Sequence, residues 1–469
     1  MPILIYNSLT RKKEEFTPLE PPKVNIYTCG VTVYDESHIG HARSLYIFDL
    51  IRRYLAHRGF TVKFVRNITD IDDKIINRAK ELKCDWSELV RKYIQRYHED
   101  LDSLGINRGD FEPRATENIP DMIKYIQGLI DKGFAYESGG DVYFDVRKFS
   151  GYGKLSGQNI DSMEKGVRID PSEHKKDPLD FALWKNSKPA EPFWESPWGR
   201  GRPGWHIECS VMSQKFLKSD TLDIHAGGRD LIFPHHENEV AQSEAFTGKP
   251  FAKYWIHHGL LTINGQKMSK SLVNFITIKD FLEKYKNADL LKLFFLGAHY
   301  SHPIDYTDEK IEEARQALER IAILKEKVNS KATKSPLDKA RLKQVISEEV
   351  ENIKKDFIRA MDDDFNTPQG LACVFELVNL ANKHIDDLDY ISNANVALDE
   401  MLGVLGLTLK AKAAEEGISD EEVSKLISDR QSARKNKDYA LSDKIRKELE
   451  EKGVILEDTK DGPTWRRKL

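Results

Sequence analysis

The sequence predicts an α/β protein in which a parallel-sheet domain with an inserted subdomain is followed by an α-helical bundle and a small C-terminal module. Three observations carry this prediction. Strand, helix and strand patterns follow one another between residues 23 and 68. The pattern from Asp308 to about Leu405 is almost purely helical. A chain of 469 residues is also too long for a single core, so we expect several domains.

The first elements form a βαβ unit. The stretch Lys23–Thr28 alternates as a strand does, Ile39–His57 has helical spacing of its apolar residues, and Thr61–Ile68 is a second strand. Such a unit favours a Rossmann-like parallel sheet with right-handed crossovers. Ligands bind beyond the carboxyl ends of parallel strands, which is where Cys29–His41 and Thr69–Asp73 fall.

The remaining elements follow in order along the chain. A helix at Ile119–Lys132 and a Gly-Gly turn indicate an insertion, after which strands are predicted at Leu222–His225 and Tyr254–Ile263. Asn264-Gly265 predicts a tight turn. The predicted domains are residues 1–113 and 201–307 for the two halves of the sheet domain, 114–200 for the connective insertion, 308–407 for the bundle and 408–469 for the C-terminal module.

Composition limits the class of protein. Hydrophobic residues make up 40% and charged residues 32%, as in soluble globular proteins. Met1–Thr10 lacks a signal-peptide pattern, and no apolar run approaches membrane-spanning length, so no membrane partner is expected. Four cysteines are too few for a disulfide framework, which favours reduced thiols in the cytoplasm; they are Cys29, Cys84, Cys209 and Cys373. Cys84 and Cys373 fall in helical patterns and are interpreted as packing residues.

Charge is distributed unevenly. The net charge is -4, yet Lys425–Leu469 contains 13 basic and 9 acidic residues. A basic end on an acidic body suits docking of a polyanion such as a nucleic acid. Charge alone favours the simpler interpretation, a solvated charged helix.

The first motif is His38-Ile39-Gly40-His41 at the predicted start of a helix. The two histidines are three residues apart and share a face, and the helix N-terminus adds free N–H groups and a positive dipole end. We expect the histidines to be positive donors, which suit a phosphate, and Gly40 leaves room for a flat base. Two ordinary surface histidines near a turn are an equally good interpretation of this tetrapeptide alone.

The second motif is Lys267-Met268-Ser269-Lys270-Ser271, on a predicted loop. Lys267 and Lys270 could neutralise a leaving pyrophosphate, and a loop can close on ATP and reopen. An exposed basic loop is the simpler interpretation. In this order, with an intervening insertion, the two motifs resemble the nucleotide-binding pair of class I aminoacyl-tRNA synthetases, which makes His38, His41, Lys267 and Lys270 the candidate catalytic residues.

A third group of residues is a candidate metal site. His235 and Glu239 are four residues apart on a predicted helix after Pro234, so they share a face. With Cys29 and Cys209 they would suit zinc. The spacing is long-range, however, and from spacing alone the preferred interpretation is two buried structural thiols with a His–Glu pair on a helix surface.

Over nearly its whole length the chain resembles the cysteinyl-tRNA synthetases. The resemblance rests on seven segments and the Trp-Arg-Arg-Lys ending. The segments are Tyr27–Gly30, Ser37–His41, Asn67–Lys74, Gly204–Ser210, Asp223–Gly228, Phe233–Glu239 and Lys267–Ser271. Ala226 stands where some family members have glycine, which adds one methyl group near the expected nucleotide.

The resemblance implies a function for each region. The sheet domain would activate L-cysteine with Mg-ATP, the bundle would bind tRNA(Cys), and the C-terminal module would bind the anticodon. One zinc per subunit would be held by Cys29, Cys209, His235 and Glu239. Thr69, Trp205 and His225 would line the cysteine pocket, while Gly40, Gly227, Asp230 and Lys270 would contact ATP. The family is usually monomeric, so we expect a monomer.

The zinc has a physical purpose in this interpretation. Serine differs from cysteine by one atom, and an apolar pocket could separate them by only ~1–3 kcal/mol. A metal–sulfur bond discriminates further because a thiolate is a far better zinc ligand than an alcohol. Four protein ligands usually form a closed structural site, so the substrate sulfur must add as an extra ligand or loosen Glu239.

Two other functions stay open at this stage. A related cysteine ligase forms the same adenylate but transfers cysteine to an aminosugar. It lacks the anticodon-recognising tail, whereas this chain has about 160 residues beyond Asp308, which favours tRNA. A zinc-bearing RNA-binding protein without catalysis would not need the intact pair of nucleotide motifs. Cysteine-dependent exchange of pyrophosphate into ATP distinguishes the binding protein from both enzymes.

Overall fold

The computed structural model describes residues 1–159, 174–269, 272, 274–334, 347–409, 419–459 and 462–467. An N-terminal hairpin leads into the first half of the sheet domain. Its elements are β1 (Leu4–Asn7), β2 (Lys12–Glu15), β3 (Lys23–Thr32), α1 (Ile39–His57), β4 (Thr61–Thr69), α2 (Asp73–Leu82) and α3 (Trp86–Leu104). Strands β3 and β4 are parallel neighbours joined by α1, which is the predicted βαβ unit.

Among the residues that the structure describes, a small antiparallel sheet and one α-helix form the next part of the chain. The elements are α4 (Ile119–Asp131), β5 (Ala135–Ser138), β6 (Asp141–Phe144), β7 (Phe181–Asn186) and β8 (Gly201–Pro203). The strands pair in the order β5-β6-β7-β8. The turn between β5 and β6 is the predicted Gly139-Gly140, and both glycines have positive φ.

The sheet domain then resumes. Its further elements are α5 (Trp205–Leu217), β9 (Leu222–Gly228), α6 (Glu237–Thr247), β10 (Ala252–His258), β11 (Leu261–Ile263), β12 (Gln266–Lys267), α7 (Ile278–Tyr285), α8 (Ala288–Leu296) and β13 (Ile304–Tyr306). The main sheet is parallel, with the order β10-β9-β3-β4. Because β3 and β9 are its central strands, their carboxyl ends meet in the middle of one edge, where ligands of such sheets bind.

The C-terminal part is mainly helical. In its described ranges, four helices pack as a bundle, and two more helices with a hairpin form the last module. They are α9 (Asp308–Lys334), α10 (Glu348–Asp362), α11 (Thr367–Lys383), α12 (Leu388–Val404), α13 (Asp420–Lys435), α14 (Tyr439–Glu451), β14 (Val454–Thr459) and β15 (Gly462–Arg467). Apolar side chains of the sheet domain and bundle form a common core, whereas the last module has a small core of its own.

These elements confirm the predicted fold class and correct two details. Cys84 is exposed in the connection between α2 and α3, so its interpretation as a helical packing residue is wrong, whereas Cys373 is buried in α11. Helix α6 begins at Glu237, because one π-helical turn, Ile232–His236, precedes it. Within the described residues, no helix combines the length and apolarity needed to cross a membrane.

Candidate functional site

Four predicted metal ligands converge at the carboxyl edge of the sheet. Cys29 comes from β3, Cys209 from α5, His235 from the π-helical turn and Glu239 from the first turn of α6. One potential ligand atom of each lies within 4.8 Å of every other. Cys209, His235 and Glu239 are at most 1% exposed. Residues from three separate parts of the chain therefore share one site.

The spacing of these atoms fits a tetrahedral metal. Zn–S bonds of 2.3 Å and Zn–N or Zn–O bonds of 2.0–2.2 Å require S···S near ~3.8 Å and S···N or S···O near ~3.6 Å. The Cys29 and Cys209 sulfurs are 3.6 Å apart, Cys209 Sγ is 3.7 Å from His235 Nε2, and Cys29 Sγ is 3.5 Å from Glu239 Oε1. His235 Nε2 and Glu239 Oε1 are clearly closer than the metal requires, at 2.7 Å. Moving these two atoms apart by roughly 0.7 Å would give them the spacing of two ligands of a tetrahedral zinc.

A second set of potential ligands overlaps the first. Cys29, Glu239, His225 and His236 also lie within 4.8 Å of one another. His225 Nε2 is hydrogen-bonded to Glu239 Oε2, and His236 Nε2 lies 3.2 Å from Cys29 Sγ. This set contains one thiol instead of two. Because thiolates are the softer and tighter ligands for zinc, the chemistry favours the set that includes Cys209.

Neighbouring side chains orient the ligands. His206 Nδ1 is 2.9 Å from His235 Nδ1, which leaves His235 Nε2 to face the two thiols. The indole of Trp205 stacks on the His235 ring with centroids 3.9 Å apart. His225 holds the Glu239 oxygen that points away from the thiols. Hydrogen-bonded partners of this kind fix the tautomer and direction of metal-binding histidines and carboxylates.

The charges of the cluster depend on one another. Burial raises the pKa of Glu239, but the neighbouring His235 and His225 outweigh it and hold this pKa well below its usual value. Burial lowers the pKa of His235, yet Glu239 reverses the shift and raises it to about 10. Burial also raises the pKa of Cys209, and hydrogen bonds with Cys29 and His235 bring it down to about 7. A divalent cation bound here would displace protons from these groups, so its affinity should rise with pH.

The three predicted cysteine-pocket residues surround this cluster at different depths. Trp205 is 37% exposed and borders a cleft of about 680 Å³, whereas Thr69 and His225 are buried beneath the surface. The Thr69 hydroxyl donates to Glu208 Oε2 at 2.6 Å. Trp205 and His225 therefore contact proposed ligands directly, while Thr69 contacts a buried carboxylate next to Cys209 in the chain.

The first nucleotide motif caps α1. His38 Nδ1 accepts hydrogen bonds from the backbone N–H groups of Gly40 and His41, at 3.1 and 3.3 Å, and His41 Nδ1 accepts from the His38 N–H. The two rings are stacked, with centroids 3.7 Å apart. Because both Nδ1 atoms accept, each neutral ring carries its proton on Nε2, where it can donate to a ligand.

These histidines differ from the sequence expectation in charge. Burial lowers the pKa of His38 to about 4 and that of His41 to about 3. The charge of Asp230 raises the pKa of His38 but only partly offsets the effect of burial. They are therefore neutral donors at pH 7 and not the positive groups that the motif suggested. Catalysis by such rings relies on directed N–H dipoles and not on a fixed charge.

The glycines of the motifs make room for histidines. A Cβ on Gly40 would lie 2.9 Å from the His38 ring, and one on Gly227 would lie 2.7 Å from His236 Cε1. Gly227 is the last residue but one of β9, beside the metal-site candidates, and Asp230 follows the strand in a short 3₁₀ turn. The space needed by the protein's own rings already explains both glycines, so a role in ATP binding remains a prediction for them.

The second nucleotide motif lies next to the first. The predicted Asn264-Gly265 turn joins β11 to β12, which ends at the exposed Lys267. Lys270 and Ser271 lie outside the described residues. After the motif, Ile276 O accepts from the Ile39 N–H at 3.1 Å, and Phe275 packs edge-on against the His38 ring. The chain segments that carry the two motifs are thus in direct contact.

Several residues near the site were not found by sequence reasoning. Asn67 Oδ1 accepts from the Gly30 N–H at 2.8 Å, where β3 and β4 change register. Glu208 holds Thr69, and His206 and His236 contact proposed ligands. All four lie within the segments that carry the family resemblance, but none was assigned a role. No spacing rule separates a ligand from its neighbour when both are polar and buried.

Three family models match the chain. Residues 15–316 match the class I (C) tRNA synthetase catalytic domain, residues 356–410 the DALR domain, and residues 419–466 the cysteinyl-tRNA ligase anticodon binding domain. The chain is 51% identical to cysteine–tRNA ligase of Geobacillus thermodenitrificans strain NG80-2, over 99% of both chains. This protein belongs to the cysteine–tRNA ligase family. It is also 48% identical to the cysteine–tRNA ligase of Clostridioides difficile strain 630, again over 99% of both.

A solved structure agrees with this fold. Methionyl-tRNA synthetase of Mycobacterium tuberculosis, in complex with methionyl-adenylate, superposes with a TM-score of 0.62. Sequence identity is 16%, and the alignment covers 81% of this chain and 90% of the other. At that identity the similarity concerns the fold alone, which is that of a class I aminoacyl-tRNA synthetase.

Proposed function

We propose that this protein activates L-cysteine with Mg-ATP and transfers it to the terminal adenosine of tRNA(Cys). In the first step, a carboxylate oxygen of cysteine attacks the α-phosphorus of ATP, and the bond to pyrophosphate breaks. In the second, a ribose hydroxyl attacks the carbonyl carbon of cysteinyl-adenylate, and AMP leaves. Neither step needs a nucleophile from the protein, so positioning and electrostatic stabilisation supply the rate.

The proposed amino-acid site is the buried cluster of Cys29, Cys209, His235 and Glu239. These residues would hold one zinc ion, which supplies a soft Lewis acid for the thiolate of the substrate. Trp205 covers the His235 ring and separates it from the open cleft. His225 is hydrogen-bonded to Glu239 Oε2, which would leave Oε1 for the metal.

The proposed nucleotide site is formed by the two contacting motifs. His38 and His41 would donate to ATP phosphate oxygens from Nε2, because each neutral ring carries its proton on that nitrogen. Lys267 and Lys270 would balance the charge of the leaving pyrophosphate. Gly227 and Asp230, beyond the end of β9, would contact the adenosine.

One observation carries the proposal most strongly. Two thiol sulfurs, an imidazole nitrogen and a carboxylate oxygen come together at separations near those of a tetrahedral zinc site, beside the nucleotide motifs. A carboxylate-activating enzyme for most amino acids needs no sulfur ligands. Selection of a thiol is the chemistry for which such a cluster is suited.

The decisive experiment is cysteine-dependent exchange of labelled pyrophosphate into ATP, followed by charging of tRNA(Cys). The proposal predicts both activities, with one zinc per chain by metal analysis. No exchange would refute activation of cysteine. Exchange without charging of tRNA would favour the aminosugar ligase, although the matched anticodon binding domain at residues 419–466 already supports tRNA. The reduced-thiol compartment is proposed to be the cytoplasm.

A further inference from the structure

A buried ion pair lies far along the chain from the proposed ligands. Asp289 is the second residue of α8, and Lys292 follows one turn later, with Lys292 Nζ 3.0 Å from Asp289 Oδ1. Their exposures are 3% and 2%. Neither residue belongs to the proposed cysteine, metal or ATP sites. Buried charges are costly to desolvate and often add little stability. The role of such a pair is therefore better sought in the chain segments that it holds in position.

The pair binds residues 405–409, which we call the exit segment because it follows the last helix of the bundle. Asp289 Oδ2 accepts from the Thr408 N–H at 2.8 Å, the Thr408 hydroxyl at 3.1 Å and the Leu409 N–H at 2.7 Å. Lys292 Nζ donates to Gly406 O at 2.8 Å. One carboxylate and one ammonium group therefore satisfy four polar groups of a segment that has no regular secondary structure.

The exit segment is also held by the helix that starts at the first nucleotide motif. The Tyr46 hydroxyl of α1 donates to Leu405 O at 2.6 Å. On the other side, α8 is the second helix after the second nucleotide motif, following α7 (Ile278–Tyr285). Helix α1, which starts at the first motif, and helix α8 thus both hold the exit segment.

The exit segment lies a short distance along the chain before the C-terminal module. Only residues 410–418 separate Leu409 from Ser419, where the match to the anticodon binding domain begins. Ten residue steps span at most ~35 Å. If residues 405–409 were released, the tether would lengthen by half, to ~50 Å. A longer tether lowers the effective concentration of the second binding site once the first has bound.

We propose that Asp289 is a positioning residue for tRNA, which anchors the exit segment so that the anticodon-binding module and the catalytic site engage one tRNA together. This inference rests on the proposed function. Asp289 touches neither substrate in this proposal and acts through Thr408 and Leu409. Its loss should weaken the coupling between the two ends of the tRNA and leave the chemistry at the catalytic site intact.

The test compares two RNA substrates with the Asp289→Asn variant of the full chain. One is full-length tRNA(Cys), and the other is a hairpin that reproduces only its acceptor stem and cannot reach the anticodon-binding module. We expect kcat/KM for tRNA to fall roughly 10-fold, mainly through KM, as typical coupling energies imply. Charging of the hairpin and cysteine-dependent pyrophosphate exchange should stay within ~2-fold of the wild type.

Two further variants separate positioning from folding. Asp289→Asn combined with Lys292→Met removes both charges, so that no unpaired ammonium stays buried, and it should show the same selective loss. The matched control is Asp362→Asn, which removes another buried carboxylate, bonded to the Tyr54 hydroxyl at 2.6 Å between α1 and α10. This control should affect both RNAs equally.

Three results would overturn the proposal. These are an equal loss for tRNA and hairpin, a parallel loss of pyrophosphate exchange, or a wild-type enzyme that charges the hairpin as efficiently as tRNA. Failure of the proposed function has a different signature, because the wild-type protein would then show no cysteine-dependent exchange.

Discussion

Replacement of Cys209 by serine tests the metal site with the smallest possible change. The substitution keeps the shape of the side chain but exchanges a thiol for an alcohol, which stays neutral near pH 7 and binds zinc poorly. Cys209 Sγ lies 3.6 Å from Cys29 Sγ and 3.7 Å from His235 Nε2, so it faces two other proposed ligands at once. Because the pKa of Cys209 is lowered to about 7, a larger fraction of this side chain is thiolate at neutral pH than in an ordinary cysteine.

The expected loss follows from the ligand count. Removing a hydrogen-bonded partner of a metal ligand typically costs 10–100-fold in affinity or activity, so removing one of four ligands should cost more than ~100-fold. Without a metal–sulfur bond, the remaining pocket distinguishes cysteine from serine by only ~1–3 kcal/mol. We therefore expect kcat/KM for cysteine-dependent pyrophosphate exchange to fall by at least ~100-fold, together with the zinc content.

The assay pairs metal analysis with pyrophosphate exchange, and Cys373→Ser is its control. Cys373 is also a buried thiol, at 9% exposure, but it lies in α11 within the helical bundle. Burying a hydroxyl without a partner costs about 1–3 kcal/mol of stability at either position. Only Cys209→Ser should lose zinc. Activation of cysteine that survives the loss of zinc would refute the role assigned to the metal.

Three further predictions concern the backbone and the nucleotide site. Gly30→Ala should destabilise the protein by more than ~4 kcal/mol, because its Cβ would lie 1.5 Å from a carbonyl oxygen of β4. The control Gly403→Ala in α12 meets open space and should stabilise the protein slightly. Thermal unfolding measures both effects. Lys270→Ala should slow adenylate formation in single turnovers without weakening cysteine binding, and a pure binding defect would contradict this role. His38 and His41 should stay neutral down to about pH 4, so NMR titration should show no protonation between pH 7 and 5. Between pH 6.5 and 4 these histidines bind protons only in the unfolded chain, so their contribution lowers the stability of the protein as the pH falls through this range. Titration of either ring near pH 6.5 would contradict the buried geometry.

Local patterns predicted the local structure well. Helix α1 was expected at Ile39–His57 and has those bounds, because His38 caps its start and Gly59 with positive φ follows its end. The i, i+4 spacing correctly indicated that His235 and Glu239 share a face, even though a π-helical turn interrupts the helix between them. Such signals depend on neighbours in the sequence, where period and capping chemistry act directly.

Contacts between distant segments could not be predicted in the same way. The approach of Cys29 to Cys209 spans 180 residues and follows from the packing of α5 against the end of β3, which no spacing rule encodes. The neutral state of His38 and His41 follows from burial, which a tetrapeptide motif does not report. The resemblance supplied the proposed ligands, but not the hydrogen bond from His225 that orients Glu239.

The most direct test of the account is the number of sulfur atoms bound to zinc, measured by X-ray absorption on the purified protein. Two sulfurs are expected in the free enzyme, from the cysteines of β3 and α5. Saturating L-cysteine should raise the number to three, and saturating L-serine should leave it at two. A count that stays at two with L-cysteine would contradict recognition of the amino acid through its thiol.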